Sequence, residues 1–317
     1  MVLKMEKIII GVDHGNGNIK TRNEFFPCGF VVSEVKPAAC FGNDVLEYNR
    51  KFYVLNHTKS PYKIDKTTDE ECFIYTLFAI AKEAEDRGLR LIGKDIVLSI
   101  GLPPAYMSVM SEKFKDYFMK RSVHGVHFKY KDNQYSFYIK DCYVFPQNYA
   151  AAMVFASEYT QKYKKVNCID IGDGTVDLLV LLKGVPDPNI LISIEDGIGK
   201  MRSKIINIVM HNTGYTLDDD VIEQVLNKEE TVLPEDVIDM INQQTEQWAE
   251  MIINRLHKYV PDFRLNPTVF LGGGSLLLEP YIKRLKTVGV SMFIPDIKAN
   301  AIGFEEIALA MEQEKES

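Results

Sequence analysis

Residues 169–177 read IDIGDGTVD, and residues 12–20 read VDHGNGNIK. Superposed, they share one frame: an apolar residue, Asp, any residue, Gly, any residue, Gly, any residue, a β-branched apolar residue. The runs KIIIGV and KVNCIDIG lead into them, and IKTRN and TVDLLVLL lead out. Apolar, β-branched runs on both sides of a glycine-rich break predict a strand, a tight turn and a second strand. Asn-Gly is the strongest short hairpin signal, because both residues tolerate left-handed backbone.

Outward from these frames the chain reads as one plan used twice. In the first half, Cys72, Leu77, Ile80, Ala81 and Ala84 form an apolar stripe that predicts a helix from Thr68 to Arg87, stopped by Gly88. DIVLSIGLPP reads as a buried strand halted by Pro103 and Pro104. A helix over about 107–121 follows, then strands near HFKY, YSFYI and CYVF, then a helix from Pro146 to Tyr163. The plan restarts near Lys165, with the second frame, a third strand at NILISIE and a helix from about Ile198 to Asn212. Charged helical sequence from Leu217 to Tyr259 reads as an insertion. NPTVFLGGGS is a strand ending in glycines, LLEPYIKRLKTVG a helix, and ANAIGFEEIALAMEQ a last helix. Residues 24–68 show only short strand-like pieces such as KFYVL. The expected architecture is a duplicated α/β fold: domain I over 1–165 plus 299–317, and domain II over 166–298 with a helical insertion at about 214–262.

Bulk composition limits the function. With 317 residues, 46% hydrophobic and 26% charged, the chain is long enough for two cores. No apolar run approaches the roughly 18 residues that cross a bilayer, and MVLKMEKIIIG has no small-residue cleavage site. Cys28, Cys40, Cys72, Cys142 and Cys168 are scattered and free of CxxC spacing, which argues for reduced thiols and against a zinc site. A net charge of −7 argues against direct nucleic-acid binding. The expectation is a cytoplasmic protein with neither nucleic-acid nor membrane contact of its own.

The paired turns point to phosphate chemistry. Two glycines let backbone N–H groups approach an anion without a Cβ in the way, which makes His14, Gly15, Asn16, Gly17 and Asn18, and Gly172, Asp173, Gly174 and Thr175, candidate phosphate contacts. Two such loops on equivalent domains would grip one phosphate chain from both sides of a nucleotide cleft. Asp13 and Asp170 end their strands beside the loops, and one or two carboxylates acting through water suit Mg2+. Lys20 is placed to reach a phosphate oxygen as a point charge. Gly272, Gly273, Gly274 and Ser275, between a strand and a helix, leave room for the flat part of a nucleotide.

The ordered set DHGNGNIK, PQNYAAAM, IDIGDGTVD, LGGGS and ANAIGFEE resembles the five-motif signature of the actin, sugar kinase and heat-shock chaperone ATPase superfamily. Length, the small insertion, SIGLPP and a Gln in place of an acceptor-binding Asp look most like the bacterial actin-like proteins of the ParM type. The resemblance implies an actin-like (ribonuclease H-like) ATPase fold and filaments of the chain's own copies. It also implies slow ATP hydrolysis and plasmid segregation through a DNA-binding adaptor. ATP and Mg2+ are the implied cofactors, with GTP open. On that basis the loops hold the β- and γ-phosphates, Asp13 and Asp170 organise the metal, and Gly272–Ser275 line the adenosine.

In similar proteins a Gln or Glu matching Gln147 orients the attacking water. Basic side chains matching Lys200 and Lys204 lie against the base or ribose, while an ordinary solvated helix face competes as an explanation. Asp177, where the first frame has Lys20, either tunes the water or holds its loop. His14 is expected to contact phosphate through its backbone. His124 and His127 read as a surface turn, and Trp248 as core. A small-molecule kinase on the same fold would need a carboxylate base, for which Asp65–Asp69 is the only stretch in view. A chaperone would carry a substrate domain, and an MreB-like cytoskeletal protein a membrane-seeking segment longer than MVLKMEK.

Overall fold

A computed structural model describes residues 7–37, 44–56 and 63–316. Cys40 lies outside the described residues. The other four cysteines are free and buried. The chain divides into two compact units, Met1–Ala151 with Lys298–Ser317, and Ala152–Ile297.

In the first unit, the β-branched run of β1 (Ile8–His14) is buried almost throughout and turns back into β2 (Asn18–Lys20) and β3 (Phe25–Pro27). Short strands β4 (Phe30–Ser33), β5 (Val45–Tyr48) and β6 (Lys51–Leu55) follow. Next come helix α1 (Glu71–Asp86), strand β7 (Lys94–Leu102), a 3₁₀ turn at Pro104–Tyr106 and helix α2 (Met107–Arg121). β8 (Val126–Tyr130) alternates buried and exposed residues, as a strand with one covered face does. It turns at Lys131–Asp132, both left-handed, into β9 (Asn133–Pro146). Two successive left-handed residues are what a tight two-residue hairpin requires. These strands form one sheet in the order β3-β2-β1-β7-β9-β8-β5-β6-β4. Segments YSFYI and CYVF, expected as separate strands, are one strand whose register slips at Lys140.

The single helix expected from Pro146 to Tyr163 is also corrected. It is two pieces, α3 (Tyr149–Phe155) and α4 (Ser157–Lys162), broken where Ala156 leaves helical geometry. α4 lies in the second unit, which continues with β10 (Lys165–Ile171), β11 (Val176–Leu182), β12 (Val185–Ile194) and α5 (Ile198–Thr213). Helices α6 (Asp219–Leu226) and α7 (Glu235–Leu256) fill the stretch read as an insertion, followed by β13 (Thr268–Leu271), α8 (Gly273–Ile282) and β14 (Ser291–Phe293). Trp248 of α7 is buried in this unit's core, as expected. The sheet order is β12-β11-β10-β13-β14.

The duplication is visible in the pairing. In the first unit β1 pairs antiparallel with β2 and parallel with β7, β2 pairs antiparallel with β3, and β7 pairs parallel with β9. In the second, β10 pairs antiparallel with β11 and parallel with β13, β11 antiparallel with β12, and β13 parallel with β14. The five-strand plan is therefore the same twice. Residues 24–68, read in sequence only as short strand-like pieces such as KFYVL, contribute β3 and three strands that extend the first sheet, β4, β5 and β6, the last being KFYVL itself.

The chain then returns to the first unit as α9 (Ala299–Glu316). Three glycines admit it. A Cβ on Gly11 would meet the Ala301 carbonyl oxygen at 2.2 Å, one on Gly101 the Phe304 ring at 2.1 Å, and one on Gly303 the Ala150 backbone at 2.5 Å. The glycines of KIIIGV and SIGLPP thus serve one helix-on-sheet contact, and that of ANAIG brings α9 close to α3.

Candidate nucleotide-binding site

The two turns occupy the same register. Asp13 lies opposite Lys20 across β1 and β2, and Asp170 opposite Asp177 across β10 and β11. Asp13 and Asp170 are both buried. A buried carboxylate must be paired or hydrogen-bonded. Asp13 accepts from Gln147 Nε2 at 2.8 Å and has Lys20 Nζ at 3.6 Å. The Asp13, Lys20 and Gln147 singled out in sequence therefore meet in the first unit.

Gln147 does not open a helix, as expected, but sits in the turn between β9 and α3. Its N–H donates to the Leu102 carbonyl at 2.8 Å. The next residue, Asn148, is buried and left-handed, with its N–H held by Asn300 Oδ1 at 2.9 Å. Asn is one of the few residues that takes this conformation cheaply, and it delays the helix by one turn. Asn300, of the ANAIG motif, is thus part of what fixes Gln147.

Neither turn uses left-handed glycine, contrary to the reason given for the hairpin; none of residues 15–18 or 172–175 has positive φ. Gly15 is needed because a Cβ would lie 2.6 Å from the Asn18 carbonyl oxygen. The common feature of the turns is that their carbonyls are tied down. In the first, the His14 carbonyl accepts from Lys66 Nζ, the Gly15 carbonyl from Cys28 Sγ at 3.1 Å, and the Gly17 carbonyl from Cys28 N at 3.0 Å. In the second, the carbonyls of Gly172, Asp173 and Gly174 accept from the N–H groups of Ile198, Gly199 and Gly197 at 3.0, 2.9 and 3.2 Å. The N-terminus of α5 is thereby glued to the loop, and a Cβ on Gly197 would strike the Asp173 carbonyl oxygen at 2.3 Å. Tying down carbonyl oxygens removes groups that would repel a phosphate, and a helix N-terminus behind the loop adds favourable potential. Cys28, Lys66 and the GIG stretch at 197–199 went unread in sequence; only the paired glycines of GIG were a signal.

The His14 ring turns inward, away from the backbone contact expected of this residue. Its side chain is not loop material: Nε2 lies 2.7 Å from Thr76 Oγ1, which itself donates to the Cys72 carbonyl at 2.8 Å, so Nε2 carries the proton. The ring stacks on Phe118 and meets Phe114 edge-on. Burial, reinforced by Lys66, lowers its pKa to about 3.

In the second loop, Thr175 Oγ1 donates to Asp177 Oδ2 at 3.0 Å, so Asp177 holds its own turn. The third motif packs directly on Asp170. Gly272 is left-handed at φ 84°, and a Cβ there would lie 2.2 Å from Asp170 Oδ1; one on Gly274 would lie 2.4 Å from Ile198. Ser275 is buried, with Oγ donating to the Gly272 carbonyl at 2.8 Å, whereas a Cβ on Gly273 would meet nothing closer than Ile297 at 3.9 Å. Gly273 therefore has the roomiest surroundings of the three. Lys200 is 61% exposed and pairs with Asp196 at 2.9 Å, and Lys204 is exposed. His124 and His127 are exposed; Ser136 Oγ lies 2.9 Å from His127 Nδ1.

The fold has known counterparts. A family model described as "Archaeal actin homologue MreB-like, C-terminal" matches residues 168–284. The archaeal actin homolog Ta0583, solved in complex with ADP, is similar over 96% of this chain and 99% of its own, at 19% identity and a TM-score of 0.75. A ParM from Clostridium botulinum, solved as a 15-stranded filament, is similar over 96% of this chain and 100% of its own, at 17% identity and a TM-score of 0.74. The fold is actin-like. Apo pSK41 ParM also shares this actin-like fold, at 14% identity and a TM-score of 0.70 over 98% of this chain and 99% of its own. No curated protein matches the sequence. Among the described residues, no helix of the actin-like chain is long and apolar enough to cross a membrane.

Proposed function

We propose that the chain is an actin-like ATPase. In this reading it binds Mg-ATP through both loops, assembles with its own copies into filaments, and weakens them by slow hydrolysis. The observation that carries the reading is the matched pair of turns, each with tied-down carbonyls and a buried Asp in the same register. The cargo is plasmid DNA, reached through a DNA-binding adaptor in the cytoplasm, since a chain of net charge −7 is a poor phosphate-backbone binder itself.

The residues fit an anion and a hard cation. Lys20, now beside Asp13, is the cation that a phosphate oxygen would engage, and Asp13 and Asp170 are the carboxylates for Mg2+. Among the described residues no three acidic, His or Cys side chains form a metal cage, so the ion would depend on waters and phosphate oxygens, as magnesium commonly does. Bound there, Mg2+ supplies charge neutralisation for the phosphates. Gln147 spends its amide NH2 on Asp13. The amide oxygen is then the end that holds a proton of a water and orients it for in-line attack. Gly272–Ser275, Lys200 and Lys204 are assigned to the adenosine.

ADP bound to one similar protein and the filament formed by another support the nucleotide and the self-assembly. The kinase alternative is left with a poorer candidate base. Burial would raise the pKa of Asp65, but hydrogen bonds from Lys113 and Thr67 outweigh it and hold the carboxyl below its usual range. Asp69 is likewise held low, with Lys63 and the Glu71 N–H overcoming burial. A carboxylate so stabilised is a weak proton acceptor.

The test is right-angle light scattering after adding Mg-ATP, with ADP, Mg-GTP and Asp170→Ala alongside. A rapid rise with ATP that later decays, absent with ADP and in the variant, is expected. Tight ATP binding with no rise up to tens of micromolar protein would overturn filament assembly, and a rise with GTP alone would overturn the choice of base.

A further inference from the structure

Arg202 is a buried cation that the nucleotide reading leaves without a task. It lies one turn into α5, and its side chain is only 4% exposed. Three carboxylates converge on it. One guanidinium nitrogen, Nη2, pairs with Asp173 of the second loop; Nη1 reaches Glu223 at 2.5 Å and Nε lies 3.0 Å from Asp219, both on α6. The planar guanidinium fork suits such an arrangement, where one rigid group meets several carboxylates at fixed angles. A lysine ammonium has no such fork.

Asp173 is therefore fixed from two directions: its carbonyl by the Gly199 N–H, its carboxylate by Arg202. The far side of Arg202 is held by α6, an eight-residue helix of the insertion. A second ion pair runs in parallel, Arg255 of α7 to the buried Asp196 just before α5. We infer that Arg202 is a positioning residue that couples the second phosphate loop to α6, so that loop geometry and the seating of α6 change together. The inference rests on the nucleotide-binding reading of that loop and adds to it a route from the loop into the insertion.

The reciprocity of linkage makes this testable from either end. Asp219 and Glu223 are half-exposed and lie outside the loop. Asp219→Asn and Glu223→Gln keep an acceptor oxygen beside the guanidinium but remove its charge balance, so the melting temperature should fall while the chain stays folded at the assay temperature. Titration with a fluorescent ATP analogue should nevertheless show about five- to tenfold weaker binding in the double variant, at the low end of usual coupling. Combined with Asp173→Asn, the α6 changes should add nothing further, because residues acting through one contact are non-additive. Amide exchange gives a second readout: ADP should slow exchange over Asp219–Leu226 in the wild type and not in Arg202→Lys. Unchanged affinity in a folded α6 double variant, or full additivity with Asp173→Asn, would overturn the coupling while leaving nucleotide binding intact. Wild-type protein that binds no nucleotide would overturn both.

Discussion

At His14 a single ring shows how a motif position can hold two jobs. Its backbone belongs to the first turn and its side chain to the core between α1 and α2. Its folded pKa, about 3, lies below the ordinary value of 6.5. Between those values the unfolded chain binds the proton and the native one does not, so stability is fully present above pH 6.5 and falls as pH drops toward 3. The expected slope is up to about 1.4 kcal/mol per pH unit. Urea unfolding at a series of pH values should show it in the wild type. His14→Gln should lose stability at neutral pH yet show a flatter acid limb; parallel limbs would assign the acid sensitivity to other groups. Sequence could place Asp13 and Lys20 because each sits beside a turn that announces itself, whereas Gln147 is singled out by resemblance and expected on a helix. It could not give His14 an inward side chain, since the partners that enclose it, Thr76, Phe114 and Phe118, come from two distant helices. Arg202 was hidden for the same reason: on a helix wheel it is one more charge, and only the fold brings three carboxylates to it.

Among the elements, α9 shows how far packing is specified by charge as well as shape. Glu305, buried on α9, accepts from the Gly11 N–H at 3.1 Å and from Arg22 Nε at 2.7 Å, with Arg87 at 3.4 Å. One carboxylate thus fastens α9 to β1, to the stretch after β2 and to the end of α1. Removing it would leave the Gly11 N–H without its acceptor and two arginines without their shared carboxylate, although Arg22 keeps Glu306 and Arg87 keeps the Ile9 carbonyl, so Glu305→Ala is expected to cost about 3 kcal/mol. Glu306, 41% exposed and paired with the same Arg22, should cost under about 1 kcal/mol when changed to Ala. Denaturation followed by circular dichroism separates the two, and equal losses would remove the network from the account of stability. The helix itself was legible from its apolar pattern, and the strand–turn–strand frames were legible because they are local. The β4–β6 extension was not. Its strands have four or five residues, of which only KFYVL of β6 was read, and β4 pairs with β6 rather than with its neighbour β5. The break at Ala156 carries no Gly or Pro to announce it.

For the whole molecule, one charge excess and one duplicated plan matter most. Copies with a net charge of −7 repel one another. Raising ionic strength from about 0.01 M to about 0.1 M shortens the screening length from about 30 Å to about 10 Å. The critical concentration for ATP-driven assembly should therefore fall across that range, read by sedimentation at each salt. A rise instead would mean that the contacts between copies are dominated by complementary charge. The duplicated sheet order was foreseeable because the two frames restart the same sequence of elements, whereas the order of strands at the sheet's far end depends on pairings no local pattern encodes.

The return of the chain to its first unit has a consequence for synthesis. The second unit is continuous in sequence, but the first lacks α9 until all of Ala152–Ile297 has been made. Domains tend to fold as units while the chain emerges. On the ribosome, then, the earlier half must wait for the later one, with the backbone at Gly11 and Gly101 bare and Arg22 and Arg87 without their shared carboxylate. The half that begins first is finished last, so a newly made chain completes its second unit before its first.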